Sequence, residues 1–117
     1  MSTSRDELQA KVAMIAGRYL DRVAREIVQL KALVDSAASG DLAVVREIEA
    51  MTHRMHGSGA MLHFEEISSP AGELERMSGD FVSSGQVDHP RMVQVLQRLQ
   101  AAIDQACANR TSPSARP

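Results

Sequence analysis

Apolar residues recur at three- and four-residue steps along nearly the whole chain, in four separate segments, and nothing in the pattern asks for a strand. That spacing is the signature of helices burying one face. The first segment reads Leu8, Val12, Ile15, Tyr19, Val23, Ile27, Leu30 and Val34. The second carries Val44, Ile48, Met51, Met55 and Leu62, and the third Ile67, Ala71, Leu74, Ser78 and Phe81. The fourth has Met92, Leu96, Leu99 and Ile103, with Ala106 and Cys107 on the same stripe. Aromatics are only 3% of the 117 residues and Trp is absent, so the core must be aliphatic, with seven Met to fill it. Sheets favour β-branched and aromatic residues, so this composition suits packed helices better.

Punctuation between the segments agrees. Ser4 reads as a helix cap followed by the acids Asp6 and Glu7. Ser36 to Asp41 reads as a turn, with Gly40 as a C-terminal stop and Asp41 as the next cap. The second helix then runs from about 42 to 63. Pro70 is tolerable only in or just past the first turn of the third helix, where its missing N–H matters least. That helix should end near Ser83-Ser84-Gly85, and Asp88 should cap the last one with Pro90 in its first turn. The expected fold is all-α: an antiparallel up-down four-helix bundle with an extended or broken N-terminal helix, in a single domain over 1–108. Asn109 to Pro117 lacks any apolar pattern and reads as a disordered tail. A helix from 5 to about 38 would be roughly 50 Å long against about 35 Å for the second helix. The first must therefore overhang the bundle or break near Gly17.

Charge and cysteine narrow the function classes. The net charge is −2, with no basic patch, which argues against a nucleic-acid partner. One cysteine, Cys107, excludes an internal disulfide and fits a reducing compartment. No apolar run is long enough to span a membrane, and Ser2 to Glu7 is too polar for a signal peptide. A cytoplasmic monomer is the expectation, although the long first helix could also dimerise.

The stretch from Thr52 to Phe64 carries the chemistry. On a helical wheel the stripe Val44, Ile48, Met51, Met55 and Leu62 gathers at the pole opposite His53. His53 therefore points out from the core, among the small residues Ala50, Gly57 and Ala60, with His56 and Glu49 along one flank and Arg46 below. Two glycines interrupt this helix, each costing about 1 kcal/mol relative to Ala. Gly59 lies toward the core, where close packing against a neighbouring helix is reason enough. Gly57 lies one turn beyond His53 on the outer face, where only the approach of a partner explains it.

The run His53-Arg54-Met55-His56-Gly57-Ser58, then His63-Phe64, then Leu74-Glu75, resembles the histidine phosphotransfer (HPt) domain family. The resemblance extends from about Tyr19 to Ala106. It departs from the family pattern at His63, where a glycine is common. The resemblance implies that His53 is the phospho-accepting histidine. His56 takes the place where a lysine often stands beside the phosphoryl group, and Gly57 is the glycine that admits the partner. Arg46, Glu49, Ala50, Arg54, Ala60 and Phe64 would then form the partner-binding surface. It further implies a phosphocarrier in a two-component phosphorelay, taking the phosphoryl group from a receiver-domain aspartate and passing it to another response regulator. Receiver domains and a hybrid histidine kinase are the implied partners. No cofactor is implied on this chain, magnesium being expected on the receiver.

The residues themselves fit that chemistry. A neutral imidazole is a competent nucleophile near neutral pH. The chain has no Gly-rich phosphate loop and no kinase motif, so autophosphorylation from ATP is not expected. Two other readings stand beside this one. Glu49, His53 and His56, at i, i+4 and i+7, have a spacing that can ligate zinc or nickel, although bundle metal sites usually face inward. A helical adaptor in which His53 plays no chemical part is the other. His63 is expected at the end of the second helix, serving its dipole, and His89 on the surface.

Overall fold

The computed structural model describes residues 3–111. It holds four helices, α1 (Thr3–Ala37), α2 (Leu42–Met61), α3 (Glu65–Ser84) and α4 (His89–Thr111), and no strand among the described residues. Each helix lies beside its neighbours in sequence, and α1 closes the ring against α4. This is the antiparallel up-down bundle that the apolar spacing predicts.

Caps and turns follow the local chemistry. Gly40 adopts φ 78° and ends the α1 turn, and the Asp41 carboxylate accepts from the Ala43 N–H at 2.9 Å to start α2. Gly85, at φ 75°, stops α3. Asp88 accepts from the Arg91 N–H at 3.1 Å and starts α4. Each device satisfies backbone groups that a helix end leaves unpaired. Pro70 falls in the second turn of α3, buried in the bundle, slightly deeper than expected.

The predicted stripes become the core. Val23, Leu30, Val34, Ile48, Met55, Ile67, Leu74, Leu99 and Ile103 are all fully enclosed. Two buried hydroxyls are satisfied within their own helices: Thr52 donates to the Ile48 carbonyl at 2.7 Å and Ser78 to that of Leu74 at 2.9 Å. On the α3–α4 seam, Glu73 accepts from Arg98 at 2.9 Å and Arg91 at 3.3 Å. The hydrogen bond from Arg98 is the main reason that its carboxyl sits below the usual range.

Several expectations need correcting. α1 begins at Thr3, so Ser4 lies in its first turn and does not cap it. Of the two courses open to α1, overhang or a break at Gly17, the structure takes the first. α1 runs on as one helix, and a Cβ at Gly17 would meet nothing closer than Arg110 Nη1 at 3.7 Å. The N-terminal part therefore overhangs the bundle, in a molecule 57 Å long and 24 Å by 18 Å across. α4 continues through Asn109 to Thr111, three residues into the expected tail. Arg110 anchors that last turn by donating to the Gly17 carbonyl and pairing with Asp21, both at 2.9 Å. Residues 112–117, the rest of the expected tail, lie outside the described residues. His89 is not a plain surface residue: its ring Nε2–H donates to the Val34 carbonyl at 2.9 Å, one of the acceptors that the end of α1 leaves free.

α2 packs tightly against both α1 and α3 at Gly59. A Cβ there would stand 2.7 Å from the Tyr19 hydroxyl and 3.3 Å from Ser68 Cβ. That clearance lets Tyr19 donate to the Met55 carbonyl at 2.9 Å, while its ring stacks on Phe64. Gly57, two residues earlier, has nothing within 4 Å of where its Cβ would be. The two glycines should answer oppositely to alanine. Gly57→Ala should stabilise by up to about 1 kcal/mol through helix propensity. Gly59→Ala should destabilise by about 1–3 kcal/mol through overpacking. Chemical denaturation of both variants is the measurement.

Burial pushes the Tyr19 hydroxyl up to about 12, with Arg22 pulling it down and Glu26 adding to the rise. The folded state thus holds the proton that the unfolded chain loses near its ordinary value of about 10. Tyr19 should contribute its full stability below that value and lose it as the pH climbs toward 12. The difference in denaturation midpoint between the native chain and Tyr19→Phe should be flat up to about pH 9 and shrink above about pH 10.

Candidate functional site

α2 can bury only one face. Ile48, Met51 and Met55 occupy it, so His53 is turned outward with its side chain 72% exposed. A shallow depression surrounds it, lined by Arg46, Glu49, Ala50, Arg54 and Glu75. Ala60 and Gly57 are exposed on the same helix. The structure thus gathers Arg46, Glu49, Ala50, Arg54, Gly57 and Ala60 on or beside the face that carries His53. Met61, 79% exposed, extends this surface and lies off the core stripe. That absence from the stripe was the signal for it in the sequence.

His53 is not bare. Its Nδ1 lies 2.6 Å from Glu75 Oε2 on α3, a short, charge-assisted hydrogen bond. Glu75 follows the buried Leu74, so its own side chain emerges at the edge of the α2–α3 seam, 26% exposed. With the Nδ1 proton donated to the carboxylate, the Nε2 lone pair remains available. Glu75 was not among the site residues expected from spacing. It was nevertheless present in the sequence as the second member of the Leu74-Glu75 pair.

His56 departs from its expected place. Its half-buried ring is folded onto α3, where Nδ1–H donates to the Ser68 carbonyl at 2.9 Å. Ser68 Oγ donates in return to the His56 carbonyl at 2.9 Å. Gly72 makes room, since a Cβ there would stand 2.9 Å from His56 Nδ1. Phe64 also turns inward: it precedes α3 and stacks on Tyr19 with centroids 5.4 Å apart. It belongs to the packing under the site and not to the partner-facing surface. His63 is exposed at φ 66° and ends α2 two residues early. That left-handed conformation costs an L-residue roughly 1–2 kcal/mol and costs glycine nothing.

The metal reading loses its geometry here. Glu49 packs against Gly79, His53 engages Glu75 and His56 engages Ser68, so the three side chains go to separate partners. Among the described residues no three His, Cys, Asp or Glu converge as a metal site would require.

The His56–Ser68 pair should act on stability. His56→Ala should cost about 1–3 kcal/mol, because it removes the hydrogen bond from α2 to Ser68 and empties the space that the ring fills against Gly72. His56→Asn, which can place an N–H near the position of Nδ1, should recover part of the loss. Thermal denaturation of the two variants checks this.

The Hpt domain family model matches residues 14–109. No curated protein and no solved structure matches the chain. The match covers the bundle together with both residues of the His53–Glu75 pair, and no helix among the described residues is long and apolar enough to cross a membrane. The chain therefore belongs to the Hpt domain family, the helical-bundle phosphocarriers of two-component signalling.

Proposed function

We propose that His53 accepts a phosphoryl group on Nε2 from the aspartyl phosphate of a receiver domain and passes it to the aspartate of a second response regulator. One observation carries this reading: an exposed imidazole whose Nδ1 is held by a carboxylate, leaving Nε2 outward. In the forward step the Nε2 lone pair forms the N–P bond while the P–O bond to the aspartate breaks, and the aspartate leaves as a carboxylate. The phosphorylated ring, still carrying its Nδ1 proton, is cationic. Glu75 offsets that charge or takes the proton. Return transfer reverses these movements.

Phosphoryl transfer asks mainly for positioning and charge compensation. A rigid helix supplies the first. Arg46 and Arg54, exposed beside His53, can meet an acidic partner surface. The receiver would bring the magnesium and the acidic pocket. Gly57 leaves the partner room to approach, since among the described residues no side chain and no other helix comes within 4 Å of where its Cβ would be. The reading makes the chain a carrier without ATP-dependent kinase activity of its own.

The test uses phosphorylated receiver domains as donors and follows label on the chain. His53→Gln should abolish labelling and change stability by little more than the weak exposed bond to Glu75, about 1 kcal/mol or less. Label retained in that variant would move the site elsewhere. Phosphorus NMR of the native product should show the Nε2-linked isomer. Glu75→Gln should slow transfer about tenfold, the equivalent of some 1.4 kcal/mol in the barrier. Gly57→Leu should fold at least as well as the native chain yet bind receivers poorly.

A further inference from the structure

A specific interface buries about 800 Å² on each partner, a patch roughly 30 Å across. One helix with its side chains is only about 10 Å wide. A receiver docked at His53 must therefore lean on a helix beside α2 as well, and the two neighbours offer opposite charge. Toward α1 the surface is cationic. Round α2 from His53 come Gly57, Ala50, Met61 and Arg54, the last two at about 80° and 100°. Past them a groove of about 540 Å³ runs between α2 and α1, with Arg18, Arg22 and Arg25 along α1 and Ser58 and Met61 along α2. The three arginines stand at i, i+4 and i+7, so they share one flank of α1. Tyr19, which donates to the Met55 carbonyl at 2.9 Å, holds that flank beside the half of α2 that carries His53. Arg22 lies 3.6 Å from Glu26 and is partly offset. Asp21, the acid in the groove lining, is taken by Arg110 at 2.9 Å. Arg18, Arg25 and Arg54 have no ion-pair partner among the described residues.

Toward α3 the sign changes. Glu49 and Glu75 edge the depression at His53, and beyond them Glu73 and Asp80 line a groove over α3. Arg91 there is paired with Glu73 at 3.3 Å, which leaves Arg76 against Glu49, Glu75 and Asp80. His53 thus stands on a boundary between a basic flank and an acidic one. On the phosphotransfer reading, we propose that Arg18 and Arg25 select the receiver. It docks across the α1–α2 groove and not across the α2–α3 seam. The receivers accepted carry carboxylates on the part of their docking surface that meets α1, around an apolar residue seated on Met61, which is 79% exposed between the arginines and His53. A receiver with basic residues there meets like charge and is rejected. Exposed charges of this kind act on encounter and discrimination more than on the chemical step.

The test follows transfer from a phosphorylated receiver that labels the native chain, as a function of receiver concentration. Arg18→Glu with Arg25→Glu should raise the KM for that receiver about tenfold or more and leave kcat within about twofold. Added salt should raise the native KM, and should raise that of the double variant less. Arg25→Glu alone should raise KM, whereas Lys31→Glu, the same change of charge at an exposed position of α1 outside the groove, should not. Phosphoramidate, a small donor that gives up its phosphoryl group as ammonia leaves and needs no docking, should label His53 in the double variant as in the native chain. In an NMR titration with the receiver, amide signals should move at 18–25 of α1. A double variant whose receiver KM stays within about twofold of native would overturn the proposal. So would amide signals that move at 73–80 of α3 and not at 18–25 of α1. A native chain labelled by phosphoramidate but by no receiver would instead overturn the phosphotransfer reading, and the choice of receiver with it.

Discussion

The rotation of α2 about its own axis is the constraint on which everything else depends. If α2 turned by one residue, His53 would leave the open face. Three contacts fix the angle. Ile48 and Met55 are enclosed by the other helices. Tyr19 reaches over Gly59 to the Met55 carbonyl. On the other side His56 and Ser68 exchange two hydrogen bonds between α2 and α3. The core and the two flanks thus hold α2 from three directions, and His53 faces the fourth. The glycines at the seams serve this fit: Gly59 yields to Tyr19, Gly72 to the His56 ring and Gly79 to Glu49. Each trades helix propensity for close approach, so the helix that presents the histidine is also the one packed most tightly on both sides.

The same seam supplies the electrostatics of the site. Glu75 emerges from α3 where α2 runs beside it, and the 2.6 Å bond to His53 Nδ1 spans the two helices. Packing between α2 and α3 therefore sets how well the imidazole is oriented, and a change at Ser68 or Gly72 would be felt at His53 without touching it. A carrier needs little beyond this. It must hold one nucleophilic nitrogen in a defined direction, compensate one proton, and leave room for proteins that bring the rest of the chemistry.

Much of this was legible in the sequence because it depends on period and on residue type. The core stripes, the Asp41 and Asp88 caps, the Gly40 and Gly85 stops and the outward direction of His53 follow from helical geometry alone. Gly59 and Gly57 could be separated on the wheel, one packed and one open, and the structure agrees. What the wheel could not give were side chains that reach across a seam. His56 lies toward α3 on the wheel, but only the position of the Ser68 carbonyl turns its ring inward. Phe64 fell outside any stripe, and its stacking on Tyr19 depends on how the α2–α3 turn closes. His63 shows the limit for turns: a histidine in the left-handed region carries no local signal that a glycine would have carried. Glu75 was visible only through family likeness, since spacing within one helix says nothing of a partner on the next.

The overhang of α1 is a different problem, because its helicity and its composition have separate explanations. The costly step in forming a helix is nucleation, and in α1 the bundled part from Tyr19 onward supplies the nucleus. Extending the helix toward Thr3 then needs only ordinary propensity, which Glu7, Leu8, Gln9, Ala10 and Lys11 provide. Helicity would survive if every residue on the bundle-facing side were polar. Leu8, Val12 and Ile15 on that side are therefore not required for the helix to form, and they gain nothing while exposed to water. Scattered single apolar residues on a surface need no explanation. Three in register with the buried row, where the bundle beneath has ended, are not scattered. Their period is that of a buried face.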